Sequence, residues 1–202
     1  MPAEPELPPP APLPVGERYP GDGPLRPHHA TCFGCGPDSP CGLHMAMVRD
    51  GDVVRTHLRL DGRHEGAPGF AHGGIVATIL DDLSGELLLV LRRPAVTARL
   101  EVDYVAPVML GRDLVAEAWV ASIDGRKYRL VARITDDGRT VATSQGLFIA
   151  VGREHFEAGD PDRMAILQDP VAGASGGPVD ATTGGGGAGA GLGGEPPTIV
   201  GT

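Results

Sequence analysis

Between Gly66 and Asp82 the chain reads GAPGFAHGGIVATILDD, and two kinds of group in that stretch could do chemistry. His72-Gly73-Gly74 stands where a Pro- and Gly-broken loop gives way to an apolar run reaching about Leu91. Two glycines at a helix start let a ligand approach the backbone, since neither carries a Cβ. The first N–H groups of a helix have no partner within it and lie at its positive end, so they suit an oxygen gaining negative charge. The carboxylate of Asp81 follows nine residues after His72, about two and a half turns along. Backbone donors near a carboxylate are the minimum equipment for acyl transfer or hydrolysis.

The residues three and four positions from Asp81, which share its helix face, are Ala77, Thr78, Ser84 and Gly85, all small. A carboxylate lining a cleft needs the room they leave, so Asp81 is expected to line the cleft and Asp82 to face solvent. A second group of reactive types is Cys32, Cys35 and Cys41, with His28 nearby. A closed zinc site needs four ligands, usually as two paired clusters, and no second pair follows Cys41. The expectation is a tight Gly-rich turn with small buried thiols, and no metal. An odd number of cysteines within one short stretch also speaks against a disulfide framework.

Several elements must hold these groups. Ile75, Val76, Ile79, Leu80, Leu83, Leu87 and Val90 recur at helical spacing over a wide face, which predicts one largely buried helix. Before it, Leu43 to Arg49 and Val53 to Leu60 flank Asp50-Gly51-Asp52, a hairpin signal, with Val54, Thr56, Leu58 and Leu60 facing inward. After it the period becomes two. Val96 to Ala106 places Val96, Ala98, Leu100, Val102 and Tyr104 on one face, which leaves Thr97 on the polar side. Strands Arg112 to Ile123, Lys127 to Thr135 and Arg139 to Val151 follow, joined by Asp-Gly turns. The pattern is an α+β domain, an antiparallel sheet wrapped on one long central helix.

The chain has 202 residues, 41% hydrophobic, with a net charge of -9. Ten of its 20 prolines precede His28 and 12 of its 31 glycines follow Pro170. Residues 1–20 are therefore expected to be a disordered Pro-rich leader and 155–202 a flexible Gly-rich tail, with one helical turn at 160–167, around a single domain over 21–154. The acidic balance disfavours nucleic acid or an anionic membrane as partner. No run of 18 apolar residues and no signal pattern is present, and the expected location is cytoplasmic. Neither a GxGxxG nor a P-loop occurs, which excludes the common nucleotide folds.

With these residues in place, roughly 30–151 resembles the hotdog fold. Within it the chain is similar to the acyl-CoA thioesterases of the PaaI-like superfamily. The resemblance rests on the HGG turn, the Asp nine residues after its His, the four antiparallel strands beyond, and the Cys-Phe-x-Cys-Gly-Pro turn before Gly42-Leu43. It implies that Asp81 is general base or nucleophile and that Thr97 helps place the water. It also implies that the N–H of Gly73, with Gly74, polarises the thioester carbonyl, and that Gly125, Arg126 and Lys127 contact the phosphates of CoA. His72 is included in the candidate site, with bracing of the turn preferred to proton transfer. Some relatives carry an amide six residues before the HGG histidine, where this chain has Gly66. The resemblance further implies a homodimer or homotetramer with shared sites, no cofactor, and an acyl-CoA substrate. Two alternatives stay open: a hotdog acyl-CoA hydratase or dehydratase, and a non-catalytic acyl-CoA binding or sensing domain.

Overall fold

A computed structural model describes residues 5–16, 19–152 and 154–157, all of them within the first of the two units, Met1–Asp169 and Pro170–Thr202, into which the chain divides. The Gly-rich tail and the turn at 160–167 lie outside the described residues, apart from a short helix α2 at Glu154–Glu157. The long helix α1 spans Gly73–Val90, where the apolar spacing predicts it. Seven strands accompany it: β1 Gly23–Pro24, β2 Met47–Asp50, β3 Val53–Arg59, β4 Ala95–Tyr104, β5 Asp113–Asp124, β6 Lys127–Asp136 and β7 Arg139–Ala150. They form one sheet in the order β1-β2-β3-β5-β6-β7-β4, each pair antiparallel. The two-residue β1 adds a third strand before the helix to the two expected.

One face of the sheet packs on α1. Val76, Ile79, Leu80, Leu83 and Leu87 are at most 1% exposed, and the strands oppose them with fully buried Ala116, Ala118, Ala132 and Ala142. Alanines in the sheet let the helix sit close, so that leucines fill the space between. Burying each such leucine is worth about 1.5–3 kcal/mol. Val54, Thr56 and Leu60 are buried on the same pattern, as the alternation in β3 predicts.

β4 departs from simple alternation. Its ladder with β7 steps from Thr97↔Phe148 directly to Arg99↔Leu147, which leaves Ala98 as a β-bulge. Residues directly opposite in a ladder point to the same face. Thr97 therefore shares the face of buried Phe148, together with Leu100, Val102 and Tyr104, whose partners are Gly146, Ser144 and Ala142. The expected inward set of Val96 and Ala98 is corrected by this one extra residue. A bulge re-aims a side chain without breaking the strand.

The described part of the Pro-rich leader lies against the sheet. The Ala11 N–H donates to Val120 O at 2.7 Å, Trp119 Nε1–H donates to Pro8 O at 2.7 Å, and Leu13 is only 5% exposed. The guanidinium of Arg49, 4% exposed, donates to Pro14 O and Pro20 O from the leader and to Gly51 O. A proline-rich segment has no internal hydrogen bonds, so its carbonyls are free to accept. Buried Trp119 and Arg49 supply the donors.

Candidate functional site

The loop before α1 is held by its own backbone. His72 N–H donates to His64 O at 2.8 Å, Ala71 N–H to Val108 O at 2.9 Å, and Gly66 N–H to Phe70 O at 2.9 Å. A Cβ on Gly66 would sit 2.8 Å from the Cα of His72, so the close crossing of these segments excludes any side chain there, an amide included. His72 is the N-cap. Its backbone is extended and its Nδ1 accepts from the Gly74 N–H at 2.9 Å. That bond occupies the Gly74 donor, and the Gly73 N–H has no acceptor among the described residues. Tyr104 reaches over from β4, its hydroxyl donating to Gly73 O at 2.9 Å.

Asp81 and Thr97 meet. The Thr97 hydroxyl donates to Asp81 Oδ1 at 2.9 Å, across 16 residues of sequence. Helix periodicity presents Asp81 to β4, and the pairing of Thr97 with buried Phe148 presents Thr97 to α1. A cleft of about 320 Å³ opens beside the helix start, lined by Phe70, Ala71, Gly73, Val76, Tyr104 and Val108.

The turn bearing Gly125, Arg126 and Lys127 joins β5 to β6, and Gly125 takes φ +56, which favours glycine. Lys127 pairs with Ile149, and Ile149 with Val96 of β4. Two strand spacings, about 10 Å, therefore separate Lys127 from the residue preceding Thr97. The Arg126 Nε–H donates to Ala150 O at 3.0 Å, which ties that guanidinium to β7.

Asp82 does not face solvent as expected. Its side chain is 14% exposed, with Oδ1 3.3 Å from Cys32 Sγ and 3.5 Å from His28 Nδ1. The turn at residues 28–36 folds over α1 at this point, and nothing in the helix spacing announces it. Cys35 is buried, Cys32 half-buried and Cys41 exposed. Burial pushes the carboxyl of Asp82 up to about 7, and burial does the same to Glu86. Burial alone would depress His28, but its hydrogen bond to Cys32 and then the charges of Glu86 and Asp82 raise it to about 9.

A helix buried by one wrapped antiparallel sheet, entered through a Gly-Gly turn, defines a hotdog domain. The family model of the thioesterase superfamily matches residues 68–143, from the HGG loop into β7. Human acyl-coenzyme A thioesterase 13 is 31% identical over 120 residues, which are 58% of this chain and 81% of that protein. Acyl-coenzyme A thioesterase THEM4 of Xenopus laevis is 38% identical over 87 residues, 42% of this chain and 39% of that protein. A crystal structure of a thioesterase superfamily protein superposes with a TM-score of 0.57 at 28% identity, covering 59% of this chain and 60% of that one. The chain thus spans half or less of the THEM4 relatives from frog and mouse, 39% and 50% of their lengths. The chain belongs to the thioesterase superfamily.

Proposed function

We propose that the protein hydrolyses acyl-CoA thioesters to the free acid and CoA. The observation that carries this is the Thr97–Asp81 hydrogen bond on the helix whose N-terminus keeps one free N–H, at Gly73. Relatives named acyl-coenzyme A thioesterase support the substrate class.

Asp81 takes a proton from water as the water oxygen attacks the thioester carbon. The carbonyl oxygen becomes an oxyanion and accepts from the Gly73 N–H of a second copy of the chain, because eight residues of helix, about 12 Å, part Gly73 from Asp81 within one chain; one such donor lowers the barrier by about 3 kcal/mol. Collapse of the intermediate breaks the C–S bond, and the proton held by Asp81 passes to the leaving thiolate. Thr97 holds the carboxylate in place. Gly74 drops out as a second donor, because His72 has taken its N–H. His72 acts as a brace, which also disfavours the hydratase alternative, since that chemistry needs a histidine free to move protons. The acyl chain enters the cleft at Phe70, Val76 and Val108. The CoA phosphates lie against Gly125, Arg126 and Lys127, where two cationic side chains suit an anion.

No helix among the described residues is long and apolar enough to cross a membrane. A cytoplasmic location and a homodimer or homotetramer complete the proposal. Thr97 is exposed in the single chain, as a site closed by a second subunit would leave it.

Thiol release over a panel of acyl-CoA chain lengths tests the reading. Asp81→Ala should lower the rate by about 10²–10⁴, the usual contribution of a positioned base. Undiminished hydrolysis in that variant would sink the mechanism. Binding of acyl-CoA with no thiol release from any chain length would identify a binding module instead.

A further inference from the structure

The cluster beside Asp81 takes no part in that mechanism, and it joins two segments distant in sequence. His28, Cys32 and Cys35 come from the turn before β2, and Asp82 comes from α1. One ligating atom from each lies within 4.8 Å of all the others. His28 Nδ1 is 3.1 Å from Cys35 Sγ, Cys32 Sγ is 3.3 Å from Asp82 Oδ1, and His28 Nδ1 is 3.5 Å from Asp82 Oδ1. Tetrahedral zinc with ordinary bond lengths to sulfur, nitrogen and oxygen sets ligand-to-ligand edges of about 3.3–3.8 Å. The three separations lie within or just below that range, so a small adjustment would admit an ion.

Three further observations point the same way. Asp82 Oδ2 and Glu86 Oε2 are enclosed with no hydrogen-bond partner among the described residues, although Glu86 Oε2 lies 3.8 Å from His28 Nδ1. Carboxylate oxygens enclosed without a hydrogen-bond donor are groups that a bound cation would satisfy. The His28 backbone N–H donates to Cys35 Sγ at 3.2 Å, an outer contact of the kind that orients a metal-bound thiolate. Glycine also lines the approach. A Cβ on Gly34 would collide with the Asp82 carboxylate, and one on Gly85 would come 3.1 Å from His28 Nε2.

We propose that His28, Cys32, Cys35 and Asp82 bind one zinc ion, which clips the cysteine turn to α1 at the residue next to Asp81. The pair of ligands missing from the cysteine spacing is completed by His28 ahead of it and by the helix. Thiolate and imidazole ligands with one carboxylate suit zinc over the harder cations, and binding releases the thiol protons to solvent. The inference is independent of the thioesterase proposal, since neither its site nor its test uses thioester turnover.

Metal analysis of the purified, reduced full chain should find one zinc per chain. After chelation, Co²⁺ added alone should give the thiolate charge-transfer and tetrahedral ligand-field absorption bands. Cys32→Ser and Cys35→Ser should lose the charge-transfer intensity, and Asp82→Asn, at a direct ligand, should weaken metal affinity by more than the roughly 10–100-fold that loss of an outer contact costs. Cys41→Ser, at the exposed cysteine outside the cluster, should bind as the unaltered chain does. Absence of zinc from the unaltered protein together with no Co²⁺ spectrum overturns the proposal even if the cysteine variants fail to fold. Equal loss in Cys41→Ser overturns the ligand assignment.

Discussion

The hydroxyl of Thr97 engages Oδ1 of Asp81, and in the proposed mechanism Oδ2 is the oxygen that meets a water proton. A hydrogen bond to a charged group contributes about 1.5–3 kcal/mol, less where solvent competes. Thr97→Val should therefore lower kcat by roughly tenfold with a smaller change in KM, and Thr97→Ser should restore most of it. Steady-state thiol release reads the split; a change confined to KM would assign Thr97 to binding. At this scale the sequence is informative where spacing carries the signal. The nine residues from His72 to Asp81 and the small neighbours of Asp81 single out the carboxylate. Asp82 escaped, because its enclosure depends on where residues 28–36 fold, and no periodicity encodes that. The hold of the His72 N-cap on the Gly74 N–H is likewise set by the fold and not by spacing, since either ring nitrogen or solvent could accept from that N–H.

β4 is placed by its ladder with β7, and its bulge lets Leu100, Val102 and Tyr104 share the face that the Thr97–Phe148 pairing gives Thr97. Because the ladder already steps from Thr97 to Arg99, deleting Ala98 should give a regular strand that still aims Thr97 at α1. Thiol release in the deletion should stay within about tenfold of the unaltered protein, which would separate the aim of Thr97 from the bend of the bulge. A loss as deep as that of Asp81→Ala would show that the bend itself is required. Helix α1, the hairpin of β2 and β3, and the three long strands β5, β6 and β7 were legible to within a few residues, because each has a continuous period. The bulge was not, because one inserted residue leaves a strand that still reads as alternating from either end.

Across the whole sheet, Glu117 is held between Arg55 and Arg133 in adjacent register positions, with N–H···O distances of 2.8 and 3.0 Å, and Arg133 lies 5.7 Å over the ring of Trp119. Burial would raise the Glu117 carboxyl, but the hydrogen bonds from Arg55 and Arg133 outweigh it and hold it below the ordinary value of 4.5. A lowered folded-state value means the stabilisation is present above pH 4.5 and is lost as pH falls through the folded value. Glu117→Gln should cost roughly 1 kcal/mol at neutral pH, and the gap in Tm should narrow as pH falls below 4.5. A gap that persists at low pH would mean packing rather than charge. The leader makes a second prediction at this scale. Removing residues 1–16 should red-shift the fluorescence of Trp119, the single tryptophan, and destabilise the domain by about 2 kcal/mol through the loss of Leu13 and the Arg49 contacts. An unchanged spectrum and Tm would show that the leader is dispensable. Composition could not reveal its path, since proline carbonyls dock on donors that appear only once the sheet exists. Finally, the 10-residue β4 forms one margin of the sheet, and beyond it no described strand pairs. A long unpaired margin is a template for adventitious strand addition, and charge is the usual guard against it. Arg99, Glu101 and Asp103 are exposed along it, so the strand that carries Thr97 also sets a solubility requirement at these three positions.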